Sequence, residues 1–345
     1  MHAVDTDPLI RVSPEGLYCA AGDFYIDPWR PVERAVITHA HSDHARVGSR
    51  HYLCAAPGAS LLRHRMGTAA RIESVPYGQR MRLKDAIVSL HPAGHILGSA
   101  QIRVEAGGDV WVISGDYNFS GDPAVGAPFE PVPCRTFITE STFGLPIYHW
   151  PAPQSVFSAI EAWWQHNQAQ GVVSVMPAYP LGKSQRLLAH LESSGAPIAV
   201  HGNANDYIAY YRAAGIRQAE VLPLTEATVA DLKGCGLIIT SSAAQEATIF
   251  RKLGPLSWAF ASGWMMTRAA RRNRDFDRGF VLSDHADWDG LIEAIRATGA
   301  ERVGVTHGQI DSFSRWLREQ GWDAFALPTC FSEETAGNAG TADAT

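Results

Sequence analysis

His39-Ala40-His41-Ser42-Asp43-His44-Ala45 is the stretch on which the reading of this chain turns. It sets three imidazoles and a carboxylate within six residues, side chains of the types that bind zinc-like cations. No regular helix or strand can aim all of them at one ion, because either periodicity sends neighbouring side chains to different faces. A loop can divide them between two ions. Just upstream, Ala35-Val36-Ile37-Thr38 is a short apolar run that reads as a buried strand. The metal-loving motif therefore begins where a strand stops.

The same junction recurs outward along the chain. Val110-Trp111-Val112-Ile113 runs through Ser114 and Gly115 into Asp116, and Thr136-Phe137-Ile138-Thr139 ends on Glu140. Phe280-Val281-Leu282-Ser283 ends on Asp284 and His285, and Arg302-Val303-Gly304-Val305-Thr306 ends on His307. Side chains at one end of several neighbouring strands can converge on a point, which is how a rigid sheet builds a site. His95 lies between Gly94 and Gly98, residues that let a backbone turn sharply around a ligand. Asp116 offers a carboxylate with two oxygens, a group able to bridge two cations, and His307 completes the set. An isolated histidine is more often an ordinary surface or core residue. That reading is applied to His2, His51, His64, His91, His149, His166, His190 and His201.

Between Glu140 and Asp284 the pattern changes to alternating helix and strand. A helix opens at Pro153, with Val156, Ile160, Trp163 and Trp164 on its apolar side, and Gly171 stops it. A strand follows at Val172–Met176, a helix at Ser184–Glu192 and a strand at Pro197–Val200. This rhythm predicts an α/β domain at 151–262, inserted into a discontinuous domain made of 1–150 and 263–330. Further helices are expected at Trp288–Thr298 and Ser312–Gln320, the latter with Asp311 or Ser312 as N-cap. Residues 331–345 are small and polar and are expected to form a disordered tail.

Of the 345 residues, 46% are apolar and 19% charged, which excludes a disordered chain. Lys plus Arg is 29 against 35 for Asp plus Glu, a formal charge of −6. Nucleic-acid binders are usually basic, so a positive groove would have to come from local clustering. Arg268, Arg271, Arg272, Arg274 and Arg278 cluster just before His285, with Asp275 and Asp277 among them. Phosphate contact and a salt-bridged surface both fit that stretch. The five cysteines are scattered with no CxxC pair, which argues against a disulfide framework or a cysteine-rich zinc site. Met1 to Arg11 lacks a signal-peptide layout and no apolar run approaches the roughly 18 residues of a membrane span. A cytoplasmic protein is expected. Gly182-Lys183-Ser184 is not a Walker A loop, because Pro177 stands where that pattern needs glycine. A Gly-led turn into a helix still offers Lys183, Ser184 and free N–H groups to a phosphate.

HAHSDHA at 39–45, with His95, Asp116 and His307, resembles the metallo-β-lactamase superfamily, and the inserted segment resembles its β-CASP branch, whose members are nucleases. From about Leu17 to Leu327 the chain is similar to the bacterial ligase-associated DNA exonucleases. The resemblance implies an α/β fold, a metallo-β-lactamase αββα sandwich with an inserted α/β β-CASP domain. It implies two divalent ions, Zn2+ or Mn2+, one held by His39, His41 and His95 and the other by Asp43, His44 and His307, with Asp116 bridging. Asp27, in Tyr25-Ile26-Asp27-Pro28, matches an early aspartate that supports the ligand loop from behind. His285 matches a general acid and Glu140 the acidic residue that orients it. Lys183 and Ser184 match an element lining the substrate cleft, and Ser262-Gly263-Trp264-Met265 another cleft loop.

By the same resemblance the activity is a DNA exonuclease, in which a hydroxide activated by two metals attacks phosphorus in line. It would act in repair alongside an ATP-dependent DNA ligase and a helicase. One residue departs from this. DNA-directed relatives usually carry Val where this chain has His307, whereas RNA-processing members usually carry His. An RNA-processing nuclease is therefore the alternative, ahead of a catalytically inactive binding subunit, since such subunits tend to lose ligands.

Overall fold

A computed structural model describes residues 8–191, 195–241, 248–267 and 276–329. They fall into two compact units. Of the described residues, the first takes 8–121, 127–144 and 289–329, and the second takes 122–126 and those within 145–288. The sequence reading put 263–288 with the first domain. Instead, the strand Arg278–Phe280 pairs in parallel with Leu256–Ala261, inside the sheet of the second unit.

The first unit holds two mixed sheets. One has six strands in chain order, Arg11–Val12, Leu17–Cys19, Phe24–Ile26, Arg34–Val36, His51–Ala55 and Ile72–Val75. The other has seven, ordered Asp323–Ala326, Arg302–Gly308, Thr136–Ser141, Asp109–Ile113, Ala100–Ala106, Ala86–Pro92 and Met81–Leu83. One apolar core draws on both sheets, with Phe24, Ile26, Val36 and Leu53 from the first and Val88, Leu90, Ile102, Val104, Ile113 and Ile138 from the second. Val88 faces Val104 and Leu90 faces Ile102 across one strand pair, and Ile113 faces both Ile102 and Ile138 across the next two. Each fully buried aliphatic side chain of this kind contributes roughly 1.5–3 kcal/mol. This row fixes register, because a one-residue slip would turn every member to the other face.

The strands Asp109–Ile113, Thr136–Ser141 and Arg302–Gly308 run parallel, so their C-terminal ends lie on one side of the sheet. That shared end is where Asp116, Glu140 and His307 fall. The helix Ile310–Glu319 packs Ile310, Phe313 and Leu317 inward, an amphipathic spacing. It begins earlier than the sequence suggested, and its N-cap is Gln309, not Asp311 or Ser312. The cause is local: Gln309 N donates to Ser141 O at 2.9 Å, and Phe313 N already donates to Gln309 O at 2.9 Å.

In the second unit six parallel strands take the order Val221–Pro223, Ile198–Val200, Leu237–Thr240, Val173–Pro177, Leu256–Ala261 and Arg278–Phe280. Both faces are covered. Ile198, Val200, Leu237 and Ile239 pack with the helices Pro153–Ala169 and Lys183–His190 in one core, while Ala199, Ile238, Val173 and Val175 pack with Leu232 and Phe250 in another. Alternate residues of one strand thus serve opposite cores, which makes parallel strands read as continuous apolar runs. Past Phe280, residues 281–283 leave the ladder. Among the described residues no helix is long and apolar enough to cross a membrane.

Candidate metal centre

Two of the ligand loops start where a carboxylate takes over a strand's hydrogen bonding. Ile37 N still donates to Leu53 O at 2.8 Å, but Thr38 N donates at 2.8 Å to Oδ1 of Asp27, which holds a positive φ of 42°. The chain therefore leaves the sheet at His39. After Asp109–Ile113 the same thing happens: Ser114 N donates to Ile138 O at 2.9 Å, and Tyr117 N then donates to Glu140 Oε1 at 2.8 Å. Glu140 is 1% exposed, and its other oxygen accepts from Thr142 Oγ1 at 2.5 Å. This buried carboxylate braces the turn that carries Asp116.

Two ligand sets result. His39, His41, His95 and Asp116 each place a ligand atom within 4.8 Å of the others, and so do Asp43, His44 and His307. Asp116 joins them: its Oδ2 lies 3.4 Å from His44 Nε2, 3.7 Å from His39 Nε2 and 3.8 Å from His95 Nε2. His44 Nε2 lies 3.7 Å and His307 Nε2 4.0 Å from Asp43 Oδ2, and the His44 and His307 rings stack at 5.0 Å. Ligand atoms about 2.0–2.2 Å from a tetrahedral cation stand roughly 3.3–3.6 Å from one another, so these separations fit a metal site.

The chemistry of the donors fits as well. Burial and the neighbouring His44 and His41 hold His39 well below its ordinary value, so its imidazole is neutral and keeps a lone pair for a cation. His39 Nε2 is buried and has no hydrogen-bond partner among the described residues. Burial also lowers His44, but the carboxylates of Asp116 and Asp43, with the hydrogen bond to Asp27, outweigh it and hold His44 well above its ordinary value. That pull toward positive charge is one a divalent ion would answer. Asp27 sets the ring's direction: its Oδ2 lies 2.7 Å from His44 Nδ1 and accepts Thr38 Oγ1 at 2.5 Å, which leaves His44 Nε2 facing Asp43 and Asp116. The His/Asp clusters can hold divalent metal ions.

No family model matches this chain. A probable DNA ligase of Opitutus terrae is 35% identical over 319 residues, which is 90% of this chain and 30% of that protein. The endoribonuclease ysh-1 of Neurospora crassa is 28% identical over 191 residues, 52% of this chain and 22% of its own length. The transcription termination factor FttA of Methanosarcina mazei is 26% identical over 204 residues, 48% of this chain and 32% of that protein. The chain thus spans about a third or less of the length of the curated relatives it matches. The chain belongs to the β-CASP branch of the metallo-β-lactamase superfamily. A crystal structure of a protein of unknown function from Enterococcus faecalis V583 shares the fold, with a TM-score of 0.59 and 13% identity over 86% of this chain and 79% of that one.

The remaining residues expected from the β-CASP resemblance have these places. His285 is half-buried in the second unit, where its N–H donates to Ser283 Oγ at 3.1 Å and its carbonyl accepts Trp150 Nε1 at 2.9 Å. Lys183 Nζ lies 3.6 Å from Asp284 Oδ2, with its side chain 14% exposed. Ser184, expected to meet a phosphate, is buried, and its hydroxyl donates to Tyr179 O at 2.9 Å. Arg268 and Arg271 lie outside the described residues, as do Arg272, Arg274 and the tail from 331. Sequence reasoning missed Thr38, whose Oγ1 lies 3.0 Å from His39 Nδ1 while it serves Asp27. A threonine immediately before the motif was the available sign. It also missed the buried pair Asp122 and Arg186, for which the sequence offers no sign of contact.

Proposed function

We propose that this β-CASP protein is a metal-dependent phosphodiesterase that acts as a DNA exonuclease in repair, alongside an ATP-dependent DNA ligase and a helicase. Its first unit is read as the αββα sandwich of the superfamily and the second as the inserted β-CASP domain. The observation that carries the reading is the position of Asp116 Oδ2, 3.4–3.8 Å from one imidazole nitrogen each of His44, His39 and His95, with Asp43 and His307 gathered beside His44. His39, His41 and His95 would hold one divalent ion and Asp43, His44 and His307 a second, with Asp116 shared. Zn2+ and Mn2+ both suit this mixed imidazole and carboxylate set.

A pair of ions held there would supply a nucleophilic water near neutral pH and would neutralise charge on the phosphate. The chain's own residues do the rest. Asp27 and Thr38 fix the tautomers of His44 and His39, and Glu140 braces the turn bearing Asp116. His285 is assigned as general acid, as the β-CASP resemblance implies. A water that has lost one proton to solvent would attack phosphorus; as its oxygen bonds there, the bond to the leaving oxygen would break and that oxygen would take the proton of the His285 imidazolium.

The match to a probable DNA ligase over 90% of the chain supports DNA as the substrate. His307 and the likeness to endoribonucleases over 52% and 42% of the chain support a second reading, RNA cleavage by the same chemistry. The test is incubation of 5′- and 3′-labelled DNA and RNA with Mn2+ or Zn2+. Stepwise shortening of DNA is expected. Ladders from RNA alone would replace the first reading by the second, and no cleavage of either would end both.

A further inference from the structure

We infer that Arg186 is a positioning residue for His285: it ties the segment bearing that histidine to Asp122, and so sets where the proton donor stands. The inference rests on the role proposed for His285. Arg186 lies in the helix Lys183–His190 and is 4% exposed. Its Nε donates to Asp122 Oδ2 at 2.6 Å, while one terminal nitrogen donates to the carbonyl of Ser283 and lies 3.4 Å from Asp284 Oδ1. All of these residues belong to the second unit.

Three observations make this a strut for His285 in particular. First, residues 281–283 have left the sheet, so the approach to His285 lies outside its ladder. Second, the main chain around His285 is fixed from both sides, by Ser283 Oγ at its N–H and by Trp150 Nε1 at its carbonyl. Trp150 N is in turn held by Asp287 Oδ2 at 2.8 Å. Arg186 grips Ser283 on the side opposite Trp150 in the chain. Third, Asp122 is itself immobilised, accepting from Ala124 N at 2.8 Å and lying 3.0 Å from His190 Nε2, whose ring stacks on Phe157 at 4.0 Å.

A buried ion pair adds little net stability compared with apolar residues of the same volume, so stability does not explain a guanidinium placed between two carboxylates. What its planar fork supplies is direction, since it holds its acceptors at fixed angles. A backbone carbonyl two residues before the proton donor is the acceptor through which that direction matters.

The leaving group separates positioning of the acid from general structural support. An alkoxide leaving from DNA needs a proton, whereas p-nitrophenolate leaves without one. The wild type, R186K and D122N are compared with Mn2+ on a 5′-labelled oligodeoxynucleotide and on bis(p-nitrophenyl) phosphate, with H285A as reference. Lysine keeps the charge toward Asp122 but loses the fork. For R186K we expect kcat on the oligonucleotide to fall about 10- to 100-fold with KM nearly unchanged, and turnover of the activated ester to fall at least about tenfold less. H285A should show the same selectivity. If R186K fails to fold, D122N gives the same comparison from the other end of the pair. Parallel loss of both activities, or loss of neither, overturns the role of Arg186 while leaving the nuclease reading intact. Wild-type protein that cleaves neither substrate overturns the reading beneath it and this inference with it.

Discussion

Asp27 Oδ2 stands 2.7 Å from His44 Nδ1, although the two residues are 17 positions apart and Asp27 takes no place in either ligand set. A carboxylate can only accept here, so Nδ1 must carry the proton and Nε2 is turned to the centre.

Asp27→Asn tests that relationship. Asparagine tolerates the positive φ at this position, but its amide can turn an N–H toward His44 Nδ1. The ring would then carry its proton on Nε2, where the metal lone pair should be. Metal affinity should fall about 10- to 100-fold with little change in fold, measured by titration against a competing chelator. An unchanged affinity would remove Asp27 from this role.

Asp116→Ala should lose metal loading and phosphodiester cleavage together, because one oxygen lies within 3.8 Å of imidazole nitrogens from both sets. Elemental analysis of purified variant and wild type, grown with the same metals, checks the loading. Two ions retained per chain in the variant would contradict the shared role.

Gly98→Ala should be costly. Its φ is +76°, and an added Cβ would sit 2.1 Å from Gly58 N and 2.2 Å from Gly58 Cα. The left-handed conformation and the clash with backbone together should cost about 2–5 kcal/mol in chemical denaturation. Gly107→Ala is the control. Its φ is +59° with nothing within 4 Å, so only the roughly 1–2 kcal/mol of conformational strain applies.

Asp122 gives a pH dependence. Burial alone would raise its carboxyl, but the hydrogen bond with His190 and the charge of Arg186 outweigh that and hold it below its ordinary value of 3.8. A depressed folded value contributes stability that is complete above the unfolded value and is lost as pH falls through the folded one. Below about pH 4 the wild type should therefore lose more stability per pH step than D122N. Denaturation midpoints across pH 3–6 would show equal slopes if the carboxylate were not held in this way.

How much of this was legible in the sequence depends on whether a feature is local. The HxHxDH motif and the strand ends at Asp116, Glu140 and His307 could be read directly, because an apolar β run followed by a ligand is a pattern within a few residues. The gathering of these positions into two sets needed the register of parallel strands far apart in the chain, such as Ile138 opposite Gly304. Ser184 looked like a phosphate contact from its place after Gly182 and Lys183, yet its hydroxyl is spent on Tyr179 O. The pair Asp122 and Arg186 joins residues 64 positions apart, and no local periodicity reports such a contact.

The strands Thr136–Ser141 and Arg302–Gly308 are neighbours, although Ser141 and His307, joined by a hydrogen bond, are 166 positions apart. During synthesis His39, His41, His95 and Asp116 leave the ribosome roughly 190 residues before His307, an interval of about 10–40 s at ordinary elongation rates. A nascent chain can therefore assemble one ligand set but not the other. A second ion would have its full set only once the strand Arg302–Gly308 is in place, so a translation product cut short before it would hold one ion at most.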